Sequence, residues 1–346
     1  MSQTISYTSP LADEAAASQG RAPALVRLLL SNEFGLGLLI VLAFLAFAAT
    51  LPGFVSPFSL FTIGRQIGID TMIGLAMMAV IVTGGLDLSV GAIGVCSAMV
   101  FGYLAQSAGV PLGAAIPAAI VFGAGLGFIN GYAVVRSGVH SFIITLASMS
   151  IFFGVMIFLS KAESFNGLPQ EVQDFGKMKL LRLASPLLVI SALMCMGLSA
   201  FYRFTTLGRR MLAAGANPRA AELSGIRTGR IVIACHMLTG GLAATAGLMV
   251  TARTGAAIPS MAGQLGQDWL LPAFLAPVLG GTLLSGGRVS VIGTLLGAAF
   301  VNIITKGLLL MQIGEFWILA CLGFMLLAAV LADRARQQVL RARGMI

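Results

Sequence analysis

Apolar runs of helix length alternate along this chain with short breaks rich in glycine, proline and charge. They lie at about 34–52, 58–82, 92–109, 112–134, a stretch ending near 160, then 185–202, 231–251, 269–284, 290–312 and 316–332. Each is long enough to be read as a helix buried in hydrocarbon, and together they predict about ten spans. The runs are continuous rather than alternating every second residue, which excludes the weak ten-residue pattern of a β-barrel.

Composition agrees. The chain has 346 residues, 58% hydrophobic and 10% charged, with a mean hydropathy of +0.97. Such a sequence cannot clothe a soluble domain in polar surface, so the fold class is an all-α polytopic membrane protein. Glycines spaced four apart, Gly123, Gly127 and Gly131 in one run and Gly293 and Gly297 in another, suit close helix packing. The net charge of +9 does not point to nucleic acid, because most arginines cluster in alternate breaks and the others stay near neutral. That bias is an orientation signal with both termini cytoplasmic. It divides the chain into a cytoplasmic tail at 1–33, a transmembrane domain at 34–332 and a cytoplasmic tail at 333–346. Cys96, Cys195, Cys235 and Cys321 sit in apolar runs at no metal-like spacing and read as packing residues.

The breaks and the polar residues inside the spans carry the candidate chemistry. The cytoplasmic stretch at 203–230 holds Arg209, Arg210, Arg219, Arg227 and Arg230 against one acid, Glu222. Within it Asn217 reads as a helix cap, Pro218 as the first helical residue and Gly225 as the stop, giving a helix of about two turns on the membrane face. At 83–91 the sequence T-G-G-L-D-L-S-V-G breaks one helix with two glycines, and Asp87 or Ser89 is placed to cap the next. Asp70 lies inside a span, where an ionised carboxylate is costly unless partnered. Arg65 is not that partner, since five residues turn a helix by about 500°, which leaves the two about 140° apart. Asn130 and Asn302 are polar residues in apolar helices, suited to interhelix hydrogen bonds or to a transport path. An external segment at 161–184 mixes Lys161, Lys177, Lys179 and Arg182 with Glu163, Glu171 and Asp174, a surface for a soluble partner.

Four stretches carry a family resemblance in the right order. A-G-A-N-P-R-A-A-E-L-S-G-I at 214–226 resembles the cytoplasmic loop of ribose-type sugar ABC importer permeases. T-G-G-L-D-L-S-V-G resembles a signature of the same family, with Leu86 where Ile is usual. V-H-S-F-I-I-T-L at 139–146 resembles its entry to span five, with His140 where proline is common, and L-G-G-T-L-L-S-G-G at 279–287 resembles a further motif, with Leu283 in place of Ser. The resemblance implies a type II-like ABC importer permease in a bacterial inner membrane. A shared order of features in spans four–five and nine–ten is the pattern of an inverted repeat.

The resemblance further implies how such a chain works. It would carry a sugar or sugar-like molecule, paired with a second permease subunit, fed by a periplasmic substrate-binding protein and driven by ATP-binding subunits. The chain would bind no cofactor or metal; ATP and Mg would be used by the partner ATPase. Gly215, Asn217, Pro218, Arg219, Ala221, Glu222 and Gly225 would engage that ATPase. Asp70, Thr83, Asp87, Ser89, Asn130, Phe142, Thr145, Thr282, Ser285 and Asn302 are the candidates for the path or its gates. No G-x-x-x-x-G-K-[ST] loop is present, so the chain is a transport subunit rather than an ATPase. Membrane lipid is its other contact, and nucleic acid is not expected. The rival reading is a secondary transporter or channel working without an ATPase, with Asp70 and Lys306 for ion coupling.

Overall fold

The computed structural model describes residues 32–180 and 184–342. Most of the tail expected at 1–33, with Arg21 and Arg27, lies outside the described residues, as do Arg182 and the final stretch with Arg343.

Short hydroxyl side chains and prolines start many of the helices. After α1 (Asn32–Thr50), α2 (Pro57–Ile81) begins at Ser56, whose hydroxyl accepts the Ser59 amide, with Pro57 in the first turn. α3 (Val90–Gly102) runs on through a π-helical turn (Tyr103–Ser107). α4 (Leu112–Ser137) ends on Gly138 in the left-handed region, and α5 (Ser141–Ser160) follows it. A short helix α6 (Gln170–Lys177) sits inside the segment read as an external loop. α7 (Pro186–Phe204) is capped by Ser185 and α8 (Thr206–Ala216) by Thr205, while α9 (Pro218–Leu223) is six residues long. α10 (Thr228–Thr254) is followed by a 3-10 turn (Gln264–Trp269), α11 (Leu270–Leu279), α12 (Val291–Leu310) and α13 (Glu315–Ala342).

Among the described residues eight helices are long and apolar enough to cross a membrane, and a shorter apolar stretch, Glu315–Leu331, forms most of α13. The span expected at 269–284 is not one helix. α11 has ten residues, about 15 Å at 1.5 Å per residue, roughly half the hydrocarbon thickness. Residues 280–284 are turn and irregular chain, and so is the approach to α11: Leu265 and Gly266 have φ of 58° and 78°, and Gly266 presses on Gly91 so closely that a Cβ on Gly91 would lie 2.0 Å from its carbonyl oxygen. Backbone at this depth is tolerated because it is walled by protein. At the other end of the chain, the tail expected from 333 is a continuation of α13 as far as Ala342.

α10 is the central post. Thr239 donates to the Ala76 carbonyl of α2 at 2.8 Å. The glycine ladder of α4 faces α10, where a Cβ on Gly127 would lie 2.1 Å from the His236 carbonyl oxygen. Small residues let these backbones meet, which in lipid is the main source of helix affinity. Gly297 does the same against Ala276 of α11. α1, by contrast, shows Leu38, Leu39, Val41, Leu42 and Leu45 to the outside, the surface that lipid tails cover. Outside the bundle, Phe165 and Ala257 exchange backbone hydrogen bonds, and Gly176 of α6 abuts the Ala252 carbonyl, so the loop between α5 and α7 is seated on the end of α10.

Candidate coupling and translocation site

The loop at 203–230 folds as two helices rather than the single one expected. Thr205 caps α8 by accepting the Gly208 amide at 3.0 Å. Asn217 then ends α8 and starts α9, its Oδ1 accepting the Ala220 amide at 3.0 Å, with Pro218 in the first turn. Gly225, at φ +80°, closes it. Glu222 accepts a hydrogen bond from the Thr228 hydroxyl at the start of α10. Ala221 is buried and seats the helix, whereas Arg219, Glu222 and Gly225 are exposed. Leu223 is 91% exposed. Sequence reasoning passed over it, although an apolar residue in so polar a loop was the available signal. An exposed apolar residue in an arginine-rich loop suits a groove on a soluble protein.

Gly215 is not part of that exposed surface. It is buried, and a Cβ there would lie 1.8 Å from the Val82 carbonyl oxygen and 2.6 Å from the Gly287 amide nitrogen. The Gly287 amide in turn donates to the Val82 carbonyl at 2.9 Å. Gly286, at φ +87°, packs on Gly84, and Gly287 packs on Ala216. Three stretches far apart in sequence therefore meet at one point: the end of α2 with its double-glycine break, the end of α8, and the α11–α12 loop. Val82 was not singled out from sequence, and Gly286 and Gly287 only as the end of the motif at 279–287, because only the fold brings the three together.

The break at 83–89 is held from its other side. Asp87 is fully buried, and its Oδ1 accepts both the Ser89 amide at 2.9 Å and the Ser89 hydroxyl at 2.6 Å. Asn130 of α4 donates to the same hydroxyl at 2.7 Å. From α5, the Ser141 hydroxyl accepts the Leu86 amide at 2.9 Å and the Thr145 hydroxyl accepts the Leu88 amide at 3.1 Å. Asp87 thus folds back on the loop instead of capping α3, and Ser89 makes no side-chain cap bond. Thr83 turns back onto the Val80 carbonyl at 3.0 Å. Thr282 plays a matching part in the second break, accepting the Ser290 amide at 3.2 Å, while Ser285 is exposed on the loop. Phe142 stands half exposed in the first turn of α5. His140 caps that helix, its Nδ1 accepting the Phe142 amide at 3.2 Å.

Asp70 and Asn302 belong to a separate cluster. The Asn302 amide donates to Asp70 Oδ2 at 2.8 Å, and Gln66 donates to Oδ1 at 3.0 Å. Arg253 bonds to the Gln66 amide oxygen. Arg65 lies instead over the Phe61 ring, shared with Lys179. The ion-coupling pair of Asp70 with Lys306 is not what holds this carboxylate: its hydrogen bonds come from amides.

Comparison with known proteins agrees with this architecture. The family described as the branched-chain amino acid transport system / permease component matches residues 59–330. The ribose import permease of Bacillus subtilis is 36% identical over 288 residues, 82% of this chain and 87% of its own length. That of Escherichia coli K12 is 34% identical over 309 residues, 87% and 93% of the two chains. The fructose import permease of Rhizobium meliloti is 32% identical over 308 residues, 86% and 84%. No solved structure matches. The chain belongs to the branched-chain amino acid transport system / permease component family, within it among the ribose-type ABC import permeases.

Proposed function

We propose that this chain is one permease subunit of an ATP-driven importer that moves a sugar or sugar-like molecule across the bacterial inner membrane, with both termini in the cytoplasm. The observation that carries the reading is the junction of Gly215, Val82 and Gly287: the segment suited to docking a soluble motor is in backbone contact with both glycine-rich breaks of the bundle. A push on α9 therefore moves α8 against the end of α2 and the α11–α12 loop together. Because glycine carries no side chain, those contacts can slide where bulkier residues would lock. Such a two-state element is what a nucleotide-driven partner needs in order to switch access between the two sides.

The remaining parts follow from this. ATP-binding subunits engage Arg219, Glu222 and Leu223 on the inner face, and ATP and Mg act there rather than in this chain. A second permease completes the path. On the outer face α6 shows Phe175 and Met178 amid Glu171, Asp174 and Lys177, an amphipathic surface suited to a substrate-binding protein. The sugar class rests on the ribose and fructose permeases, whose likeness covers most of both chains. A channel or secondary transporter would have no use for an inner docking knob tied to its helix breaks.

The test is uptake of radiolabelled D-ribose, D-fructose or D-allose by vesicles holding the permease with its neighbouring ATPase and binding protein. Import that stops when ATP is withdrawn and persists when ion gradients are collapsed supports this function. The opposite pattern would favour the secondary transporter.

A further inference from the structure

A cavity of about 570 Å³ opens between α2, α10, α12, α13 and the turn leading into α11. Its size is within the roughly 300–1,000 Å³ of small-molecule sites. Gln66, Asp70, Arg253 and Asn302 form its polar wall, and Trp269 with Val301 lies among the apolar residues. Asp268 and Glu315, both exposed, also line it.

The polar wall is only partly used by the protein itself. Asn302 spends both amide hydrogens, on Asp70 and on the Ala298 carbonyl at 2.8 Å each, which leaves its amide oxygen free to accept. Arg253 spends one guanidinium hydrogen on Gln66, and among the described residues no carboxylate lies in ion-pair range of it. Free donors and free acceptors thus stand on one side of the cavity, with an indole and aliphatic carbons among its walls. A purely structural hydrogen-bond cluster needs no such space beside it. Hydroxyls that both donate and accept suit the first surface, and the C–H face of a ring suits the second. Three carboxylates against one guanidinium give the cavity a negative balance, which disfavours phosphate and carboxylate ligands.

We propose that this cavity is a binding site for a neutral polyhydroxylated solute within a single protomer, with Asp70, Arg253 and Asn302 contacting its hydroxyls. It rests on the import function above and adds a place where substrate touches this chain rather than its partners.

The full-length permease in nanodiscs, carrying Trp317→Phe so that Trp269 is the one reporter, is titrated with D-ribose, D-fructose and D-allose while fluorescence is read. A saturable change with at least one of them is expected, with none from ribose 5-phosphate and at least a tenfold weaker response in Asp70→Asn. Thr305→Phe fills the cavity while keeping Asp70, Arg253 and Asn302 and should abolish the response, so the test stands even where Asp70→Asn does not fold. No saturable signal from any of the three sugars, or an unchanged titration in Thr305→Phe, overturns the site. Import by the assembled complex is measured separately: its absence overturns the transport function, whether or not the cavity titrates.

Discussion

The Gly287 amide donates to the Val82 carbonyl across 2.9 Å, tying the loop between α11 and α12 to the end of α2. Gly215 lies against both residues, with no room for a single added carbon. The end of α8 and the two helix breaks therefore form one backbone joint. Under the proposed function, motion imposed at α9 would reach the bundle through backbone rather than through flexible side chains, and packed backbone has discrete arrangements rather than a continuum.

α9 depends on its cap. α9 has six residues, too few to be stable alone, and Asn217 satisfies one of its first amides. Asn217→Ala should lower its local stability by about 1 kcal/mol. Hydrogen exchange at Ala220 through Ser224 should then quicken by about fivefold, with co-purification of the ATPase reduced. Unchanged exchange would mean that tertiary contacts, not the cap, hold the segment.

The belt around the first break predicts a stability effect. Asn130→Leu removes the donor to the Ser89 hydroxyl in a fully buried site, and an unmet buried polar group is worth about 1–3 kcal/mol. Thermal unfolding in detergent should begin at a lower temperature than for the parent protein. Phe142→Leu, at a half-exposed position, should leave it within about 0.5 kcal/mol. Equal behaviour of the two variants would contradict the belt.

Sidedness can be read with single thiols. Cys96, Cys195 and Cys235 are buried and Cys321 is partly exposed, so in a Cys321→Ser background a membrane-impermeant maleimide should find Leu223→Cys from the cytoplasmic side alone and Phe175→Cys from the outside alone. Labelling of both positions from one side would reverse or break the proposed topology.

Much of this architecture was legible from the chain. Continuous apolar runs gave most of the spans, Asn217 and Pro218 marked a real helix start, and the glycines of α4 do face a close neighbour. Asp70 found the separate partner that its burial demanded. The passage at 269–284 was misread because its apolar content is that of a span, whereas the helix in it stops at Leu279 and the chain leading into it, at Leu265 and Gly266, is held irregular against Gly91. That contact joins residues far apart in sequence, so no local pattern announces it. The junction at Val82 was hidden for the same reason: each of the three stretches shows its glycines, and only the fold shows that they meet.

The most direct measurement is sugar imported per ATP hydrolysed by vesicles carrying Gly215→Ala. The new Cβ would lie 1.8 Å from the Val82 carbonyl oxygen, so α8 must part from the breaks while Arg219 and Leu223 stay exposed on α9. The joint predicts that the ATPase still assembles and hydrolyses ATP while import per ATP falls at least tenfold. Import at the parent ratio, with the variant fully assembled, would contradict it.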